Sequence, residues 1–422
     1  MTDQRTWFGQ PRGLTILFLT NMWEQFSYYG LRALLVYYMT KQLMMAQVSA
    51  SVVYGAYTAC AYFTPIIGGV IADRWLGKRR AIIIGGLVMA AGHFMMAFEP
   101  LFYPALATIA LGNGLFLPSL PSQIDDLYEP GDPRVGWAYN VYYVGVNIGG
   151  FLAPLMCGTV GELYGWHWGF GLAGIGMLTG LCVYIWGQRY LPAQAKAPPV
   201  PQQQATPRGS FPRDTLLLLA AIALSVTVFR SAYEQVGNTL PLWADAGVDR
   251  HAGTAVIPMT WFQSLNPLLV MVMTPPLLAM WRRRAARGGE ERPARRMAVG
   301  ASIVALAYLL LTALAAAGGT AHWLWLVLFF LLLTLGELHI LPTGLGLFAR
   351  LAPRGLGSTT VAAWFLASFA GSLAAGLVGT LWSQTRHADF FAILAALAAV
   401  AAGLLWLIDR FERGVRRRAE LG

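Results

Sequence analysis

Charge is what this chain is short of. Only 12% of its 422 residues are Asp, Glu, Lys or Arg, where soluble globular chains carry roughly 25%. That scarcity excludes a soluble enzyme, and a hydrophobic content of 56% excludes a disordered chain. Cysteine is scarce as well. Cys60, Cys157 and Cys182 stand far apart, which gives neither a metal-ligand spacing nor the disulfide framework of a small secreted module. We read them as small packing residues inside apolar runs. A cleavable signal peptide is not expected either: residues 1–13 are polar, and the first apolar run is too long for a signal core. The period-two polarity of a membrane β-barrel is missing too.

What is present is a succession of uncharged runs and a mean hydropathy of +0.53. Phe390 to Ile408 and Trp168 to Gln188 contain no charge, and each meets the length of about 20 apolar residues that a spanning helix requires. Backbone in lipid must satisfy its own hydrogen bonds, which leaves helices as the consistent solution. Twelve are expected: 14–41, 51–72, 81–99, 101–121, 136–160, 167–188, 214–240, 258–281, 297–318, 321–346, 358–383 and 389–409. The fold class is therefore an all-α membrane protein. Residues 191–213 are rich in Pro, Gln and Ala and read as a linker. They divide the chain into six-helix bundles at 1–190 and 214–422, the organisation of transporters that work by alternating access around a midplane site.

The net charge of +10 invites a nucleic-acid partner, but its placement argues otherwise. Arg74, Lys78, Arg79 and Arg80 follow the second span. Arg282, Arg283, Arg284, Arg287, Arg292, Arg295 and Arg296 follow the eighth, and Arg410, Arg413, Arg416, Arg417 and Arg418 close the chain. The opposite connections hold only Lys41, Arg250 and Arg386. Basic loops stay on the cytoplasmic side, so both termini are expected there, with lipid as the partner of the excess charge.

Charges inside spans are costly and are functional candidates by default. They are Glu24 and Arg32 in the first span, Arg230 and Glu234 in the seventh, and Glu337 in the tenth, with His93 and His339 as titratable neighbours. Arg230 and Glu234, four apart, share a helix face; they pair with each other or turn to a cavity and pair across helices. His93 reads as a hydrogen-bonded core residue. Glu337 and His339, two apart, point to different sides. Tyr28, Tyr29, Tyr37, Tyr54, Tyr57, Tyr62, Tyr142, Tyr143 and Tyr233 crowd the same regions. Buried tyrosines need polar partners or water, so together with acids, Arg and Asn they suggest a hydrated cavity suited to a zwitterion. No cofactor, metal or nucleophile–base set is apparent, and an enzyme is not expected.

The segment after the second span, from Gly69 through Asp73, Arg74, Gly77, Lys78, Arg79 and Arg80, resembles the G-x-x-x-D-R-x-G-R-R loop of the major facilitator superfamily, with one extra residue before Gly77. Further motifs narrow the likeness. Asn21-Met-Trp-Glu24-Gln25-Phe26-Ser27-Tyr28-Tyr29-Gly30-Leu-Arg32 stands against E-x-x-E-R-F-x-Y-Y-G-x-R. Tyr142-Tyr143-Val-Gly145-Val-Asn147-Ile-Gly149 stands against F-Y-x-x-I-N-x-G. Tyr233-Glu234-Gln235, Trp261-Phe262-Gln263-Ser264-Leu265-Asn266-Pro267, Gly336-Glu337 and Trp364-Phe365 follow in order. The chain resembles the proton-dependent oligopeptide transporter family, almost end to end.

That resemblance implies a monomeric proton-coupled importer of di- and tripeptides in a bacterial inner membrane. It gives Arg32 the peptide carboxylate; Glu337, Asn147 and Asn266 the amino end; and Tyr29, Tyr37, Tyr62 and Trp364 the side-chain pockets. Glu234 pairs with Arg32 in one gate state, Glu24, Glu234 and Glu337 couple protons, and Asp73, Arg74 and Arg79 belong to the gating loop. Three positions depart from the family pattern: Asn21 for a Glu, Gln25 for an Arg, and Leu117 for a Lys after Gly112 and Gly114. Glu24 thereby loses two cationic neighbours, with Arg230 as a partial replacement. The alternatives are an uncoupled facilitator, or a carrier of another small anion or drug on the same fold.

Overall fold

The computed structural model describes residues 6–7, 9–129, 131–192, 212–288, 292–353 and 356–421; the side chains of 7, 357, 358 and 411–421 are not described. Nearly all of the expected linker, 193–211, lies outside the described residues. Among the described residues there are twelve long helices: α1 Arg12–Tyr37, α2 Gln47–Ile71, α3 Lys78–Met95, α4 Phe102–Ser119, α5 Val135–Ala153, α6 Trp166–Gly187, α7 Arg213–Tyr233, α8 Leu265–Ala286, α9 Pro293–Ala317, α10 Leu324–Arg350, α11 Gly357–Gly379 and α12 His387–Leu421. Ten of the helical stretches are long and apolar enough to cross a membrane. The two that fall short, α1 and α3, carry Arg12, Glu24 and Arg32, or Lys78, Arg79 and Arg80.

Several helix ends differ from the expected ones, each for a local reason. The seventh span stops at Tyr233, runs through a 3₁₀ turn Glu234–Val236 and resumes as a short helix Leu240–Ala246. Gly237 and Pro241 interrupt the ladder there. Helix α5 passes through a π turn at Pro154–Gly158 before one more segment, Thr159–Tyr164, because Pro154 has no N–H to give to the α ladder. The eighth span begins as a 3₁₀ segment, Met259–Ser264.

The helices form two compact units. The first comprises Met1–Met44, Cys60–Val200 and Pro258–Leu268. In it α1 packs against both α5 and α6, and α3 against α4 and α6. Leu14, Leu17, Met89, Phe116, Met177 and Tyr184 form part of its core, and the Tyr184 hydroxyl donates to Gln123 at 3.0 Å. The second unit comprises Met45–Ala59, Pro201–Ile257 and Leu269–Gly422. There α9 packs against α10 and α12, while α7 packs against α11 and α12.

All three thiols are free. The packing role expected of them fits Cys157 alone, which is buried and sits where a Cβ on Gly30 would come within 2.8 Å of its Sγ. Cys60 and Cys182 are exposed on their helices.

Candidate functional site

In the first unit, α1 is the helix that positions the polar candidates, and glycine makes its close packing achievable. A Cβ on Gly149 of α5 would lie 2.2 Å from the Met22 carbonyl, so the α1–α5 crossing tolerates no side chain there. One residue on, Gly150 is in contact range of both the Tyr29 ring and Pro267, at 3.2 and 3.1 Å from a notional Cβ. This draws together the segments that bear Tyr29, Asn147 and Asn266. Asn147 donates to the Tyr143 carbonyl at 2.9 Å and is buried. Tyr29 and Arg32 are half-buried, and Tyr29 meets Tyr28 edge-on at 5.4 Å. Tyr37 is fully buried and stacked on Trp166, while Tyr62 on α2 is half-buried.

The 3₁₀ segment Met259–Ser264 is held by side chains that no sequence motif singles out. The Glu162 carboxylate accepts from the Met259 and Thr260 amides at 3.1 and 2.9 Å and from the Thr260 hydroxyl at 2.7 Å. It caps the orphan donors of the 3₁₀ segment. Trp261 donates to Thr159, Gln263 to the Ala33 carbonyl on α1, and Ser264 to the Phe151 carbonyl on α5. These bonds hold the chain in register before it reaches Asn266. No short motif contains Glu162 and Thr260, which lie 98 residues apart.

Glu24 is buried and accepts from the Gln25 amide at 2.7 Å. Asn21 donates to the Tyr142 carbonyl on α5 at 3.1 Å. His93 is buried against Ser27 at 2.6 Å, in keeping with the core role read for it. After α2, Ala72–Leu76 forms a π turn and Gly77 adopts φ 75°, ψ 152°, a conformation that favours glycine. Asp73 and Arg74 are exposed. Lys78 pairs with Asp126 at 2.7 Å, and Arg79 donates to the Leu191 carbonyl at 3.1 Å.

In the second unit, Arg230 and Glu234 pair directly at 2.5 Å, both almost fully buried. The intrahelical pairing that the spacing left open is formed. The α7 turn around the pair is braced by Tyr308, which donates to the Ala232 carbonyl at 2.7 Å, and by Gln235, which donates to the Ala375 carbonyl at 2.8 Å. Glu337 is half-buried on α10. Its neighbour Gly336 packs so closely on α9 that an added Cβ would lie 2.5 Å from Val304 and 2.6 Å from the Gly300 carbonyl. Trp364 of α11 is buried over Gly344 and edge-on to Phe348 at 5.4 Å. Gly344 lies two turns beyond Glu337 on the same side of α10, so the indole covers the face that bears the acid. His339 faces elsewhere: its Nδ1 donates to the Leu335 carbonyl, and its ring meets Trp281 edge-on. Glu24, Tyr29, Arg32, Tyr37, Tyr62, Asn147 and Asn266 thus belong to the first unit, and Glu234, Glu337 and Trp364 to the second.

The family model PTR2, described as the POT family, matches residues 79–207 and 209–395. The chain belongs to the POT family. Similar POT relatives include the peptide transporter YePEPT of Yersinia enterocolitica, 32% identical over 89% of this chain and 88% of that one. A di-/tripeptide transporter of Lactococcus lactis is 30% identical over 96% of this chain and 97% of its own. Among solved structures, a mutant of the peptide transporter POT in complex with alafosfalin superposes with a TM-score of 0.89, at 29% identity and 97% coverage of both chains. The twelve long helices are accordingly the major facilitator arrangement of a multi-pass POT membrane transporter. Against the POT pattern, Asn21 and Gln25 have turned local: one bonds a backbone carbonyl, the other the neighbouring acid. Leu117 on α4 is half-buried and brings no charge.

Proposed function

We propose that this chain imports di- and tripeptides across a bacterial inner membrane by alternating access, as a monomer, in symport with protons. What carries the reading is the ordered set of Arg32 with Tyr29 on α1, Asn147 on α5, Asn266 on α8, Glu337 on α10 and Trp364 on α11, in a chain whose relatives over nearly its whole length are named peptide transporters. Arg32 receives the peptide carboxylate, because a planar guanidinium matches it with two parallel bonds. Glu337, with Asn147 and Asn266, receives the amino end. Tyr29, Tyr37, Tyr62 and Trp364 surround the side chains. Recognition through termini and backbone leaves the sequence of the cargo open. Glu24, Glu234 and Glu337 are the carboxyl groups available to carry protons, and the loop with Asp73, Arg74 and Arg79 takes part in switching.

Uptake of labelled dialanine into proteoliposomes tests the proposal. An inward proton gradient is expected to accelerate accumulation, since the driving force is about 2.3 kcal/mol for each charge per 100 mV. Glu337→Gln removes the ionic partner of the amino end and is expected to raise the apparent KM roughly 10- to 100-fold. Peptide affinity unchanged by Glu337→Gln would overturn the binding assignment and favour a carrier for a simple anion. One observation favours a second reading: with Asn21, Gln25 and Leu117 in place of charged residues, the chain is an uncoupled facilitator. Exchange without any response to the gradient would establish that version.

A further inference from the structure

The end of α8, the connection to α9 and the first turn of α9 together bring seven arginines against two glutamates. Four of these arginines, Arg284, Arg292, Arg295 and Arg296, line one cleft of about 220 Å³ with Trp281 and His339. All six residues belong to the second unit. The cleft is built rather than incidental. The Arg296 guanidinium stacks over Trp281 at 4.4 Å, and His339 meets the same indole edge-on at 5.2 Å. His339 is itself anchored to the Leu335 carbonyl at 2.7 Å. Arg295 lies over Trp406 at 5.5 Å. A guanidinium held by its face keeps its N–H donors around the rim, in the plane that a phosphate needs. Asp409, at the margin of the cleft, is engaged with Arg292 through both of its oxygens. Helix α9 starts at Pro293, so its dipole adds positive potential at the same place.

We propose that this cleft binds a phosphate-ester anion, separately from peptide binding. A phospholipid headgroup and a free phosphate share that chemistry. The rim of the cleft favours the lipid: Met280 and Val299, which line it, and Trp406 beside it are exposed apolar side chains, in position to receive acyl chains. Basic clefts between spanning helices, flanked by aromatic side chains, suit anionic headgroups.

The test uses the full chain purified in mild detergent and read by native mass spectrometry and thermal melting. Phosphatidylglycerol, phosphatidylcholine and inorganic phosphate serve as probes. The wild type is expected to retain phosphatidylglycerol in preference to phosphatidylcholine. Arg295→Gln and Arg296→Gln are expected to lower that retention roughly 5-fold for each charge removed. Arg386→Gln, at an exposed site paired with Asp389, is expected to leave it unchanged. A melting shift on inorganic phosphate that these two substitutions remove, with no preference between the lipids, assigns the same cleft to a soluble phosphate. Arg295→Glu provides a second variant at an exposed position, and its melting in phosphatidylcholine reports whether the fold is intact. Equal retention of both lipids with no phosphate shift, or retention of phosphatidylglycerol by folded Arg295→Glu at the wild-type level, would overturn the proposal.

Discussion

Arg230 and Glu234, four residues apart on a helix, share a face, and they form the direct bond, at 2.5 Å, that this spacing left open beside a pairing across helices. The spacing did not convey that both ends are sealed from water, since burial is decided by Gly371 of α11 pressing on Arg230 and by Tyr308 bracing the next turn. Breaking a buried pair from one side leaves an uncompensated charge and costs about 3–5 kcal/mol, whereas replacing both partners with apolar groups is often neutral. Arg230→Met is therefore expected to melt well below the wild type, and Arg230→Met with Glu234→Leu is expected to recover most of the loss. A double-mutant cycle by thermal unfolding in detergent measures this. Additive losses would mean that the two side chains do not act as a unit. Glu24 was legible as an acid without its usual cations. What sequence alone did not supply is its replacement donor, the adjacent Gln25.

At the scale of elements, the strongest constraint on the candidate site comes from a residue with no motif. Glu162 closes the N-terminus of the segment that leads to Asn266 through three bonds. It sits at the end of α5, where an acid reads from sequence as an interfacial charge. Its partner is far away in the chain, so neither periodicity nor a capping box betrays it. Glu162 is half-buried, and its removal is expected to cost about 1–2 kcal/mol, the range of helix caps. Glu162→Ala should lower the melting temperature and speed amide exchange at Met259 and Thr260, while Glu162→Gln should fall between the two. Unchanged exchange at those amides would remove Glu162 from the account. Helix α10 offers a steric counterpart. At Gly336 the obstacle includes the Gly300 carbonyl, which cannot swing aside as a side chain can. Overpacking of this kind costs about 1–3 kcal/mol, and it displaces Glu337 without touching its carboxyl group. Gly336→Val is expected to reduce stability and raise the KM for dialanine together.

For the whole molecule, hydropathy and the placement of arginine were the legible layers. The apolar runs located the spans because lipid leaves a backbone no alternative partner. Helices α1 and α3 fall below the composition of an ordinary span because they carry polar and charged residues, α1 with Asn21, Glu24, Gln25 and Arg32, α3 with the basic turn after Gly77. The breaks at Glu234 and Pro154 were harder to foresee, since each depends on which side chains stand ready to take up the freed backbone groups. Orientation is the expectation that now invites measurement. With Lys41, Arg250 and Arg386 alone on one side and the arginine-dense connections on the other, the latter, with both termini, are assigned to the cytoplasm. In a chain with Cys60, Cys157 and Cys182 replaced by serine, a single cysteine at Arg386→Cys should react with a membrane-impermeant maleimide in intact cells. A single cysteine at Arg283→Cys should react only after the membrane is opened. Position 283 is exposed on the protein itself, so failure to label it in whole cells reports the membrane and not burial. Labelling at 283 in intact cells would invert the orientation, and with it the side from which peptide is captured.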